Sequence, residues 1–245
     1  MCKRLHEEKT FQRIGLRGRG TIVALRRLMR RRSVARAEPP PTDDLAELAA
    51  AAARCTACPL YANATQTVWG DGPRDATIVL VGEQPGDDED RAGRPFVGPA
   101  GRLLDRALAD AGIPRAQCWV TNAVKHFKWT PRGKRRIHER PNAREVAACR
   151  PWLESELGSL RPTVLVCLGA TATAAVFGTS ARVMRDRGKT LSSPFAERTL
   201  VTVHPSAILR APDEEARRAG YAELVADLTV VAPRRRASHS RAERG

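Results

Sequence analysis

Four short apolar runs constrain this chain more than any other feature of its sequence. Ala76–Gly82 (ATIVLVG) and Thr163–Leu168 (TVLVCL) are continuous hydrophobic stretches rich in β-branched residues. Runs of that length without polar alternation belong to strands buried on both faces. Cys118–Val124 and Thr199–Val203 are read as two more strands. Helical patterns lie before and between them. Leu45–Arg54 is expected to be a helix, with Thr42 as N-cap and Asp43 and Asp44 in its first turn. Further helices are expected near Ala100–Ala111 and over Asn142–Leu157, Gly169–Phe177 and Asp213–Val231. Strands alternating with helices predict an α/β fold, a three-layer α/β/α sandwich with a mostly parallel central sheet. Ligands of such sheets bind beyond the carboxyl ends of the strands. The loops beginning at Gly82, Asn122 and His204 are therefore expected to converge.

The net charge of +15 is concentrated at the ends of the chain. Residues 1–41 hold twelve Lys/Arg against three acidic residues, and residues 233–245 hold five Arg against one. The body between them, residues 42–232, has 25 basic and 23 acidic side chains. Binding to nucleic acid must therefore be argued from local patches. The expected organisation is a basic arm (1–41, with a short amphipathic stretch at Ile22–Met29), one folded domain (42–232) and a basic tail (233–245). No run of about 18 apolar residues exists, and the N-terminus lacks the apolar stretch of a secretory signal. The expectation is a cytoplasmic monomer with no membrane partner. Six cysteines, two of them as Cys55-x-x-Cys58, favour metal binding in a reducing compartment over disulfides.

Several motifs fall where the strands end. They are Gly82-Glu83-Gln84-Pro85-Gly86, Gly93-Arg94-Pro95-Phe96-Val97-Gly98, Thr121-Asn122 and His204-Pro205-Ser206, with a basic loop, Lys134-Arg135-Arg136-Ile137-His138, between the last two. Read alone, that loop is a solvated patch or a nucleic-acid contact. The whole series, in this order, resembles the family 4 uracil-DNA glycosylases over roughly residues 43–231. The loop ending in His138 resembles that of the narrower UdgX branch, whose members remove uracil and stay attached to the DNA sugar through that histidine.

The resemblance implies a role for each residue. Phe96 would stack on a base turned out of the helix, its rival reading being a core ring. Asn122 offers a donor and an acceptor to the amide edge of uracil, against a rival role in capping the strand end. His204 would donate to the uracil oxygen that gathers negative charge, and Gly86 and Ser206 would line the same pocket. His138 would attack the electron-poor sugar carbon as a neutral imidazole, with Glu83 as the proton acceptor. Gln84 stands where family 4 enzymes usually carry alanine and is expected to order the site. Lys134, Arg135 and Arg136 would hold the loop or meet phosphates, and Arg210 joins them as a DNA-binding candidate. The implied partner is uracil-containing DNA, taken as single-stranded. Three rival readings remain: a family 4 enzyme that turns over with water as nucleophile, a uracil-DNA or damaged-DNA binding protein that cleaves nothing, and an iron–sulfur protein whose fold serves only nucleic-acid docking.

Cys55-x-x-Cys58 joined to distant ligands fits a structural zinc or an iron–sulfur cluster. The resemblance selects a [4Fe–4S] cluster, with Cys149 at the last family cysteine. Where the family has a cysteine after the Thr-Asn strand, this chain reads Val124-Lys125-His126-Phe127, so His126 is the expected ligand there. Cys167 competes, but it lies inside an apolar strand, where free cysteine behaves as a small hydrophobe. Cys2 and Cys118 fit no ligand pattern.

Overall fold

The computed structural model describes residues 35–233. Most of the basic arm, including Cys2 and Ile22–Met29, and the tail from residue 234 lie outside them. Five parallel-dominated strands form the central sheet. They are β1 (Ile78–Gly82), β2 (Cys118–Asn122), β5 (Val164–Leu168), β6 (Thr190–Leu191) and β7 (Arg198–Thr202), in the order β2-β1-β5-β7-β6. All neighbours run parallel except the short edge strand β6, which pairs antiparallel with β7. Parallel pairing puts Gly82, Asn122, Leu168 and Thr202, the last residues of four strands, on one edge of the sheet.

Residues of β1 alternate between two cores, as the period of a strand requires. Ile78 and Leu80 pack with α3 (Pro99–Asp110), α7 (Pro205–Leu209) and α8 (Glu214–Thr229), whereas Val79 and Val81 pack with α4 (Ala143–Leu160) and α5 (Gly169–Phe177). Helices on both faces make the expected three layers. A third apolar cluster joins α1 (Leu45–Ala52) to α4 through Leu48, Ala52, Ala148 and Trp152. The chain enters this cluster ahead of the expected domain boundary. Ala37 is buried there, and its amide donates to the Ala148 carbonyl at 2.9 Å.

Two local expectations are corrected and one helix is added. The N-cap of α1 is Asp44, whose carboxylate accepts from the Ala46 amide at 2.7 Å; Thr42 instead accepts from the Asp44 amide. The acidic run after the first glycine-rich turn forms a short helix, α2 (Asp87–Ala92), that sequence periodicity did not announce. The basic stretch ending in His138 is a strand rather than a loop. It forms β4 (Arg135–His138), paired antiparallel with β3 (Trp129–Arg132) around a two-residue turn in which Gly133 takes a left-handed φ of 59°. The remaining short helix is α6 (Val183–Asp186).

Candidate active site and cluster cavity

The pocket is built on Gly82, the last residue of β1. A Cβ there would lie 2.4 Å from Asn122 Oδ1 and 2.7 Å from the Phe96 ring, so only glycine lets both side chains close on the strand end. Asn122 is the register partner of Gly82 on β2 and is buried. Phe96 takes a left-handed φ of 57°, a strained conformation for an aromatic residue of the kind that concentrates at functional sites. Its ring stacks against His204, with centroids 6.1 Å apart and planes 27° from parallel.

His204 has a defined proton. Its Nδ1 accepts from the Ser206 amide at 3.1 Å and lies 2.8 Å from the Ser206 hydroxyl. A neutral ring with Nδ1 as acceptor carries its hydrogen on Nε2. Burial, reinforced by the charges of Arg210 and His138, lowers the His204 pKa to about 4, so the ring is a neutral donor at neutral pH. Gly169, at the start of α5, has a φ of 85°, and a Cβ on it would meet His204 Cβ at 2.9 Å.

Two glycine-rich loops meet through one side chain. Glu89 of α2, buried, accepts from the Gly86 amide at 3.0 Å with one oxygen and from the Gly98 amide at 2.8 Å with the other. Sequence reasoning missed this residue, although four consecutive carboxylates at 87–90 were the available signal.

The β3–β4 hairpin stands off the main sheet, and a two-stranded ribbon alone is marginal in water. Side chains from elsewhere fasten it. Gln84 reaches both of its legs, donating to the carbonyls of Lys128 at 3.2 Å and Glu139 at 3.1 Å and accepting from the Lys128 amide at 3.1 Å. Arg136 donates to Asp87 and, at 2.6 Å, to the fully buried Asp90, and its guanidinium lies over Phe127 and Trp129. Of the two roles open to Arg136, holding the hairpin is therefore the one its contacts support, since two carboxylates already neutralise it. Trp129 Nε1 donates to the Asn63 carbonyl at 2.9 Å, and Lys128 pairs with Glu145 at 3.1 Å. Lys134 at the turn, Arg135 on the opposite strand face from Arg136, and Arg210 after α7 are exposed.

Fastened this way, the hairpin carries His138 to Glu83. Nε2 of His138 lies 3.6 Å from Glu83 Oε1, and the Phe127 ring is 6.0 Å from the imidazole. Burial lowers the His138 pKa, Glu83 opposes that, and Arg210 adds to it. The side chain is nonetheless half exposed, so the imidazole stays open to solvent.

Some 160 residues of this arrangement correspond to one known family. A family model described as the uracil DNA glycosylase superfamily matches residues 69–229. The chain belongs to the uracil DNA glycosylase superfamily. It is similar to a type-4 uracil-DNA glycosylase of Thermotoga maritima, 40% identical over 166 residues that make up 67% of this chain and 83% of that protein. A type-4 uracil-DNA glycosylase of Pyrobaculum aerophilum is 38% identical over 176 residues, 69% of this chain and 86% of that one. A type-5 enzyme of the same organism is more distant, 32% identical over 143 residues and half of this chain.

In this glycosylase-superfamily chain Cys55, Cys58, Cys149 and His126 line a single cavity, with Lys125 and Trp152. Cys167 is elsewhere. It is buried in β5 against the core shared by α4 and α5, where burial pushes its thiol pKa up. Among the described residues no three His, Cys, Asp or Glu side chains are close enough to hold one metal ion. A four-iron cube spreads its ligands further apart than a single ion does, and three other observations fit it. The Thr67 hydroxyl lies 2.9 Å from His126 Nε2 and 3.1 Å from the Ala52 carbonyl, the kind of second contact that ligating histidines make. The Lys125 amide donates to Cys149 Sγ at 3.3 Å, and the buried Trp152 Nε1–H has no partner among the described residues. Both suit sulfur acceptors in the cavity.

Lys125 links this cavity to the pocket. Its ammonium is buried, bonding Glu156 at 2.6 Å, Thr121 Oγ1 at 2.6 Å and the Asn122 carbonyl at 3.0 Å. Among the described residues no helix is long and apolar enough to cross a membrane.

Proposed function

We propose that this chain is a uracil-DNA glycosylase that excises uracil from DNA and then joins itself to the exposed sugar through His138. The observation that carries the second half is the fastened hairpin, which holds a neutral imidazole, open to solvent, beside Glu83. The family, and the similarity to enzymes named uracil-DNA glycosylases, support the first half.

The chemistry follows from the geometry. A uracil turned out of the helix would stack on Phe96 and present its amide edge to Asn122. As the bond between C1′ and the base nitrogen breaks, the electron pair leaves with uracil. His204 Nε2–H would donate to the oxygen that takes up this charge. The imidazole lone pair of His138 then forms a bond to C1′, and the proton on its other nitrogen passes to the Glu83 carboxylate. A neutral N-linked imidazole is a poor leaving group, so each chain acts once. Lys134, Arg135 and Arg210 would meet phosphates around the opening. We take single-stranded uracil-containing DNA as the substrate, bound by one chain in the cytoplasm. Cys55, Cys58, Cys149 and His126 would hold a [4Fe–4S] cluster, which supplies a brace between the segment after α1, the exit of β2, and α4.

The similarity to type-4 enzymes is compatible with one rival, turnover with water as nucleophile. A denaturing gel of the protein with uracil-containing single-stranded DNA separates the two. A shifted band that survives heat and SDS is expected; abasic DNA released without a shift would give the rival the site.

A further inference from the structure

The reaction as described uses one oxygen of Glu83. Its other oxygen has a buried partner. Thr171, in the first turn of α5, donates its hydroxyl hydrogen to Glu83 Oε2 and is 4% exposed. The same hydroxyl accepts from Arg140 Nε at 3.3 Å, and that nitrogen is 3.5 Å from Oε2 itself. Helical threonines ordinarily turn their hydroxyl back onto a carbonyl of the preceding turn. Thr173, two residues on, does so, donating to the Gly169 carbonyl at 2.9 Å. Thr171 instead receives an N–H from Arg140, which leaves its proton directed at Glu83.

The carboxylate is thus anchored at the rear, and Oε1 is the oxygen presented to His138, 3.6 Å away. Glu83 is a flexible side chain beside an open pocket, so an unanchored carboxylate would lose rotamer order at the position where the proton must arrive.

We propose that Thr171 is a positioning residue for the reaction, orienting Glu83, with Arg140 aiming the hydroxyl. This rests on the reading of Glu83 as the proton acceptor. Thr171→Val keeps the shape and removes the donor; Thr171→Ser restores it. Single-turnover reactions on uracil-containing single-stranded DNA are followed at neutral pH for both free uracil and the denaturation-resistant band.

In Thr171→Val, band formation is expected to slow about tenfold while uracil is released at the wild-type rate. Thr171→Ser should recover band formation. A wild-type rate of band formation in Thr171→Val would overturn the proposal. So would equal slowing of band and uracil release, or slowing in both variants, which is the mark of packing alone. Should Thr171→Val fail to fold, Arg140→Gln at the exposed end of the relay is expected to slow band formation in the same selective way, and an unchanged rate there overturns it. If the wild-type chain releases uracil with no band, the His138 reading fails by itself. The effect is then read from uracil release, where Glu83 would take the proton of an attacking water and Thr171→Val should slow that step.

Discussion

At the residue scale the proposed chemistry turns on protonation states. His138 would attack only when neutral, and burial, aided by Arg210, lowers its pKa below the ordinary histidine value, with Glu83 and Glu89 opposing. The sign follows directly: a lowered pKa keeps the reactive form populated as pH falls, until the imidazole finally takes its proton. Band formation is expected to be flat above about pH 6.5, the ordinary histidine value, and to decline below it. Arg210→Ala removes a charge that disfavours imidazolium, so its limb should move to higher pH; a limb moving to lower pH would contradict the assignment. His138→Ser is expected to abolish the band while free uracil is still released, because Phe96, Asn122 and His204 do not depend on it. Chromatography of the released base, run beside the gel, checks both halves. His204 was readable from its place after an apolar run, and the structure adds the tautomer that Ser206 imposes. Thr171 and Arg140 could not be read. Each lies far along the chain from Glu83, and neither residue type distinguishes a relay from an ordinary helix start.

Among elements, the strands were the most legible because burial on both faces leaves no polar alternation. Their boundaries moved by a residue or two, and the convergence of Gly82, Asn122 and His204 follows from parallel pairing alone. The hairpin was not legible. Arg135 and Arg136 carry no apolar alternation, Pro131 sits within β3, and what holds the ribbon comes from α2 and Gln84 rather than from its own sequence. That dependence is testable. Arg136→Ala leaves the fully buried Asp90 with only the Thr65 amide to neutralise it, a loss of about 3–5 kcal/mol by comparison with broken buried pairs. Thermal melting should register the loss, and band formation should fall more than uracil release. At the cluster cavity, protein purified without oxygen should absorb broadly near about 400 nm. His126→Ala is expected to bleach that absorbance and Cys167→Ala to leave it. The reverse would move the fourth ligand to Cys167.

For the whole molecule, charge and chemistry occupy different parts of the chain. Residues 35–233 hold 26 basic and 24 acidic side chains, yet they contain every group assigned to base reading and attack. Each neutralised phosphate of a single strand contributes about 0.7 to the slope of log affinity against log salt. A chain trimmed to residues 35–233, which retains Ala37 in its core, should therefore bind uracil-free DNA more weakly and with a shallower slope than the full chain. It should still form the band at low salt. Filter binding over a salt series measures the slope, and an unchanged slope would return phosphate contact to the body. The central claim is that the bond to DNA is made by one imidazole. Mass spectrometry of the digested complex tests it most directly. The account expects the peptide containing His138 to carry the deoxyribose remnant, with every other histidine unmodified. A remnant on another residue, or unmodified peptides beside free abasic DNA, would contradict it.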